Sequence, residues 1–323
     1  MAASLEHLAD DIERALDAEP PSHLSRNRVP RALLVPPDLD DLLRMAAIDW
    51  ALVIASWACM AVLPWWTWPV PILVITGRIH GFGVILHDAA HMPLKRKTWR
   101  VRLLEVLTGY PLATTLNAMR YHHLRHHRDS GMPTDPYFKA GVEERPVLYA
   151  LNVLRGVLLL PFWTVRTLFG AVAGFVPGLR TLYARVFLQD RSGADLSESP
   201  EVTATAREDL GQLAFQLAVL AIAVQAPWAV LWGYVVPGTL AGLLAARRLL
   251  VEHRYVANAD RRVETLLATT NDHQIGSPLA WLIAPHHIGY HVVHHIHPQV
   301  GLRHLPALRD WYRETTPTYP APR

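Results

Sequence analysis

The sequence is nearly devoid of cysteine. Among 323 residues there is one, Cys59, and it lies inside an apolar run. No disulfide can form within the chain, and a cysteine-ligated iron–sulfur cluster or a rubredoxin-type site is excluded. A lone cysteine in such a run serves as a small apolar residue. Charge is also scarce. Charged residues make up 18% of the chain, against about 25% in a typical soluble domain. With 51% hydrophobic residues, that shift points to a membrane protein. Residues 1–19 carry several acidic side chains and no continuous apolar core, so a signal peptide is not expected there. There is no internal repeat. The net charge of +3 is modest, and no nucleic-acid partner is expected.

Long apolar runs and histidines are what the chain has instead. Leu5, Leu8, Ile12 and Leu16 repeat at helical spacing, predicting a short amphipathic helix, and residues 20–38 read as a linker rich in proline and arginine. Residues 1–44 are therefore expected to form an N-terminal segment apart from a membrane domain over 45–323. A first span is predicted from Met45 to Leu63. Pro64-Trp65-Trp66-Thr67-Trp68-Pro69 follows, an aromatic tip suited to the membrane–water interface, and the chain returns through Val70–Leu86. Arg78 falls inside the second span, where a charge is costly. Asp49 is a candidate partner for it, although the sequence places the two at different depths. The apolar stretch Val101–Leu116 is too short to cross and return, so it is expected along the interface. Arg155, Pro161, Arg166 and Pro177 interrupt residues 147–179, which read as interfacial or re-entrant helices or a short hairpin. A second hairpin is predicted from Leu210–Gln225, a turn at Ala226-Pro227-Trp228, and Ala229–Leu250. The expected fold is thus an all-α integral membrane protein of about four transmembrane helices in two hairpins, with interfacial helices and a histidine-rich cap. The two tips contain no Lys or Arg, whereas Lys95, Arg96, Lys97, Arg120, Arg125, Arg128, Arg247, Arg248, Arg261 and Arg262 accompany the histidines. The positive-inside rule then places the cap in the cytoplasm.

Eighteen histidines are present. His87 and His91 have the spacing H-x-x-x-H, and His123, His126 and His127 the spacing H-x-x-H-H. That second spacing returns at His291, His294 and His295. Residues i and i+4 lie on one helical face about 6 Å apart. Adjacent histidines diverge by roughly 100° around the helix, which suits two neighbouring metals, each taking one of the pair. A single histidine is usually a solvated or core side chain, and His7, His23 and His304 are read that way. His80 is read as packing or pocket lining. The clusters are different, because each motif adjoins the same predicted end of a membrane segment. Imidazole suits zinc, copper, iron and nickel. Eight histidines exceed what one zinc needs and fit two metals with open positions. Soluble di-iron bundles use Glu-x-x-His pairs, and none occurs here.

Three histidine motifs in this order, with hydrophobic hairpins between them, resemble the membrane-bound fatty acid desaturase and hydroxylase family over about residues 70–312. Asp135-Pro136 after the second motif, Gly289-Tyr290 before the third, and the element from Arg248 to Glu252-His253 are similar to the family's local context. The resemblance implies two non-haem iron ions that activate O2 and remove hydrogen from an unactivated C–H bond of a fatty acyl chain. The ligands it implies are His87, His91, His123, His126, His127, His291, His294 and His295, with His253 as a ninth. No further catalytic residue is implied. His122 falls outside this set, with His122 and His126 as the alternative register. The chain departs from the family at His287, preceded by His286, where many members carry Asn. His287 is either an extra ligand or the holder of a water. His273 and His297 are as readily partners of ligands as bystanders.

His297-Pro298 is not followed by the Gly-Gly of a cytochrome b5 haem motif, so the resemblance implies a separate electron donor of ferredoxin, rubredoxin or cytochrome b5 type. The Arg/Lys-rich face either steers an acidic donor or reflects topology and contact with anionic lipid. Desaturation of a lipid or fatty acyl substrate is the first expectation. Hydroxylation or oxidative decarboxylation within the same family is the second, and a non-enzymatic metal-binding or metal-transport protein a distant third. Transport would place ionisable residues along a path through the bilayer, whereas here the ligands gather at one face.

Overall fold

The computed structural model describes residues 28–94 and 96–322. The amphipathic helix expected within residues 1–19 lies outside them, as do His7, His23 and Lys95. The described chain is helical without strands, an all-α membrane architecture. In chain order its principal helices are α1 (Leu39–Val62), α2 (Pro69–Ala90), α3 (Trp99–Thr108), α4 (Leu116–Asp129), α5 (Pro146–Ala173), α6 (Pro177–Phe187), α7 (Pro200–Gln225), α8 (Pro227–Glu252), α9 (Val263–Thr269), α10 (Ala280–Ile283), α11 (His291–Ile296) and α12 (Leu305–Thr315).

Local chemistry sets the boundaries. Asp38 caps α1, its carboxylate accepting from the amides of Asp40 (2.9 Å) and Asp41 (3.0 Å). α2, α6, α7 and α8 each begin with a proline at the first helical position, where the missing N–H costs nothing. Thr115 caps α4 through the Ala118 amide. Near its start α8 contains a π-helical turn, Leu231–Val235. The Gly233 carbonyl accepts from Trp57 Nε1 at 2.9 Å, which ties the turn to α1.

Among the described residues, α1, α2, α5 and α8 are long and apolar enough to cross a membrane. α2 is the central one: 72% of its apolar window is buried, against 22% for α1. The tip tryptophans Trp65, Trp66 and Trp228 are exposed, and the rings of Trp68 and Trp232 lie 6.4 Å apart, so both tips share one end. The histidine-bearing ends of α2 and α8 lie at the other.

For residues 147–179 interfacial or re-entrant helices or a short hairpin are expected, and the structure has a helical run with a 3-10 turn in it. The run α5 is long and apolar enough to cross a membrane, but Leu148 and Tyr149 pack with Leu250, Gly156 lies against Gly242, and Gly170 and Gly174 lie against Asp209 and Arg207, and the separate helix α6 follows. The apparent breakers are absorbed. Arg155 opens a 3-10 turn, Arg155–Leu158, and Pro161 falls in the first turn of the helix resuming at Leu159, where an amide donor is not needed. Pro177 simply starts α6. Arg166 is buried, pairing with Asp209 of α7 at 3.2 Å and donating to the Thr114 hydroxyl and the Ala113 carbonyl, each at 3.0 Å. Helix α7 extends well before Leu210, and its polar first third, with Glu201, Arg207, Glu208 and Asp209, keeps it out of the candidate spans.

Arg78 has the partner considered for it. Asp49, fully buried on α1, accepts from Arg78 Nη1 at 2.8 Å, and His286 Nε2 lies 2.8 Å from its other oxygen. Arg78 also donates to the Trp281 carbonyl. The first hairpin thereby grips the segment that leads into the third histidine motif.

Candidate metal centre

Three elements deliver the three motifs, and each is fixed by polar contacts. His87 and His91 end α2. Arg120 of α4 donates to the carbonyls of Ala90 (2.7 Å) and Met92 (2.9 Å), capping that helix end and joining the first motif to the second. Glu105 accepts from the Leu116 amide at 2.6 Å and pairs with Lys97 at 2.8 Å, and Lys97 also reaches Glu208. These contacts hold the start of α4. The third motif lies on α11, where all six residues are buried. Asp272 accepts from the Val292 amide, from Arg309 and from the Tyr319 hydroxyl. Asp88, between the two histidines of the first motif, accepts from the Leu302 amide.

All nine histidines implied as ligands come together. The ring nitrogens of His87, His91, His123, His127 and His294 lie within 4.8 Å of one another. His126, His253 and His295 form a second such group, and His253 and His291 join Glu252 in a third. The rings of His127 and His295 are 4.4 Å apart, so the groups adjoin. His253 Nε2 and His291 Nε2 are 3.0 Å apart, and His123 Nε2 lies 2.9 Å from His91 Nε2 and 3.0 Å from His127 Nε2.

The donor set fits metal ions. His126 Nε2, both nitrogens of His294 and both of His295 are buried and have no hydrogen-bond partner among the described residues. Leaving a buried polar atom unpaired costs about 1–3 kcal/mol, and a shared cation would satisfy several at once. Burial, reinforced by neighbouring positive charge, pushes His253 and His294 down to about 3, which favours the neutral ring that ligation requires.

Contacts behind the rings orient them. Asp135 Oδ1 lies 2.8 Å from His126 Nδ1, so Nδ1 carries the proton and Nε2 faces the group. Burial would raise the Asp135 carboxyl, but the His126 ring and the amides of Gly131 and Tyr137 hold it below its ordinary value. Glu252 accepts from Arg248 at 3.2 Å and lies 3.1 Å from His273 Nε2. His297 packs on Tyr312, with Nε2 and the hydroxyl 2.9 Å apart.

Two further histidines stand apart. His122 belongs to none of the groups; its Nδ1 is 2.6 Å from the Tyr137 hydroxyl, and burial pushes it down to about 3. His287 is exposed, with its ring 5.7 Å from that of Tyr290, and also lies outside them. Sequence reasoning assigned no role to Asp135 or Tyr137 and no ligand position to Glu252. The signals were present as Asp135, nine residues after His126, and as the Glu252-His253 pair.

The fatty acid desaturase family model matches residues 63–323. The chain is similar to an sn-1 oleoyl-lipid 12-desaturase from Picosynechococcus sp., with 35% identity over 79 residues. That alignment covers 24% of this chain and 22% of the relative. Four apolar helices, a convergence of nine histidines at one end of them, and a family match over most of the sequence lead to one statement: the chain belongs to the fatty acid desaturase family.

Proposed function

We propose that this protein is an O2-dependent fatty acyl desaturase that inserts a double bond at a histidine-ligated di-iron centre. The observation that carries the reading is the pairing of adjacent histidine groups with a cavity that runs from them between the membrane helices. Its volume is about 190 Å³, and His87, His123, His126, His253 and His291 line it together with apolar residues of α2, α5 and α8. One iron is assigned to His87, His91, His123, His127 and His294, and the other to His126, His253, His291 and His295.

Two irons held there would supply the activation of O2 that attack on an unactivated C–H bond needs. Two hydrogens leave the acyl chain, and with two electrons and two protons from outside they reduce O2 to two waters. The chain's own residues prepare that chemistry. The buried histidines keep bulk water from the reacting carbon, and Asp135 fixes the orientation of the His126 ring. The apolar walls align a hydrocarbon chain past the metal groups. With one cysteine in the chain, the electrons are assigned to a separate donor protein of ferredoxin, rubredoxin or cytochrome b5 type. The Lys- and Arg-rich histidine end is assigned to the cytoplasm and the tryptophan tips to the opposite face.

The test is expression in a host membrane with a compatible donor, with and without O2, followed by mass spectrometry of the lipids. New double bonds that require O2 are expected. New hydroxyl groups or terminal alkenes would instead assign the chain to hydroxylation or decarboxylation. No O2-dependent product with any donor would overturn the enzyme reading.

A further inference from the structure

The cavity beside the histidines has two unlike kinds of lining. Ile79, Leu112 and Ala241 pack with Val53 and Phe82 in the apolar core between α1, α2 and α8. Lys139, Arg155 and Gln189 make its cationic and polar part. Lys139 Nζ donates to the Tyr137 carbonyl at 2.9 Å and stands 5.2 Å from the centre of the Tyr255 ring. The Tyr255 ring is itself 6.4 Å from that of His253, so this cationic part lies beside the metal groups. Arg191 joins it, donating to the carbonyls of Pro136 and Phe138 at 3.1 Å each.

The charges here are unbalanced. Among the described residues, no ion pair joins Lys139, Arg155 or Arg191 to a carboxylate. The nearby acids are committed elsewhere. Asp135 serves His126 and two amides. Asp190 serves Tyr121 and Ser192, and Glu143 the Tyr255 amide. Burial, followed by the charges of Arg155 and Arg191, pulls the Lys139 ammonium down to about 7, with Asp135 opposing. Holding a largely buried cation without a counter-ion is costly, and an anion arriving with a ligand would remove that cost. Arg155 is held in place by its neighbour. A Cβ on Gly156 would lie 2.5 Å from the Gly242 carbonyl oxygen, so the 3-10 turn carrying Arg155 is pressed against α8.

We propose that the acyl substrate carries an anionic head, a carboxylate or a phosphate, that docks between Lys139 and Arg155 while its tail runs past the histidines to the wall at Ile79 and Ala241. The Gln189 side chain, in the same part of the cavity, is placed to hydrogen-bond the head or the carbonyl behind it. This assignment rests on the reading of the cavity as the acyl site of a desaturase, and it narrows the substrate to anionic acyl compounds.

The probe for binding is hexadecanesulfonate, an alkyl anion that cannot react and does not titrate, with hexadecanol as its uncharged counterpart. The full chain loaded with iron, in nanodiscs, is expected to bind the sulfonate more tightly than the alcohol. Lys139→Gln and Arg155→Gln should each weaken the sulfonate by roughly ten- to hundred-fold, the range for a lost charged hydrogen bond. Lys139→Arg and Arg155→Lys should restore most of it. Arg313→Gln, on the exposed face of α12, should leave binding unchanged. Sulfonate affinity that is indifferent to both Gln variants, or equal to that of the alcohol, would overturn the proposal. Turnover is then compared for a free fatty acid, an acyl coenzyme A and a phosphatidylcholine. Product from the acid assigns the head as a carboxylate, product from the thioester assigns it as phosphate, and turnover of phosphatidylcholine unaffected by the double Gln variant overturns the proposal. Charge-dependent binding with no double bond from any substrate would leave the anion site standing and remove the desaturase reading.

Discussion

Replacing Asp49 with leucine should be the most damaging single change in the membrane helices. Asp49 is fully buried and is the carboxylate partner of both Arg78 and His286, each at 2.8 Å. Leucine is close to aspartate in length, so the loss is electrostatic rather than a large cavity. Arg78, itself 7% exposed, would keep the carbonyl and the ring of Trp281 but no counter-charge. Removing one partner of a buried ion pair costs about 3–5 kcal/mol, because the remaining charge is left uncompensated. At roughly 2–4 °C per kcal/mol for a chain of 150–250 residues, the midpoint should fall by on the order of ten degrees. The assay is thermal unfolding of the purified protein in nanodiscs. The double variant Asp49→Leu/Arg78→Met removes both charges and should recover most of the loss, since an apolar replacement of a buried pair is often neutral. Equal damage in the single and double variants, or a single variant within about 1 kcal/mol of the parent, would show that the pair does not hold the helices electrostatically. The same contact assigns His286 a structural role. His286→Gln and His287→Ala should both retain iron, whereas loss of iron from His287→Ala would return that residue to the ligand set.

Asp135→Asn should lower metal affinity by roughly ten- to a hundred-fold, as loss of a carboxylate behind a ligating imidazole does, read by competition with a chelator. Lys139 has its pKa lowered to about 7 by burial, so it is charged below that pH and neutral above it. Binding of hexadecanesulfonate should therefore weaken as pH rises from 6 to 8.5, and Lys139→Arg should abolish that dependence. Gly156→Val puts a side chain against backbone at 2.5 Å from the Gly242 oxygen and 2.8 Å from Leu243 Cα. It should cost about 1–3 kcal/mol in thermal unfolding, and should weaken sulfonate binding by moving Arg155.

The histidine motifs were legible because their chemistry is local. A spacing of three or four residues on a helix fixes which rings share a face, and His123 rather than His122 joins the group, as the spacing implies. The partners that hold the motifs together were harder to read. Asp49 and His286 are 237 positions apart, and nothing in a local pattern announces that an aspartate on the first span meets a histidine beside the last motif. Arg166 read as an interruption for the same reason. Its carboxylate, Asp209, lies 43 positions later on another helix, and once paired the arginine no longer interrupts the helix. Asp135 was visible only as a neighbour of a motif, and its contact with His126 depends on the turn at residues 130–137. Lys139 and Arg155 carry no pattern at all, because their significance comes from a cavity that only the packed helices create.

Two metals in adjacent histidine groups underlie the proposed function, and metal analysis of the purified chain counts them. Protein expressed with iron should hold about two irons per chain. His294→Ala and His126→Ala should each deplete iron and abolish O2-dependent product. Full activity from a preparation with no iron, or from either variant, would contradict it.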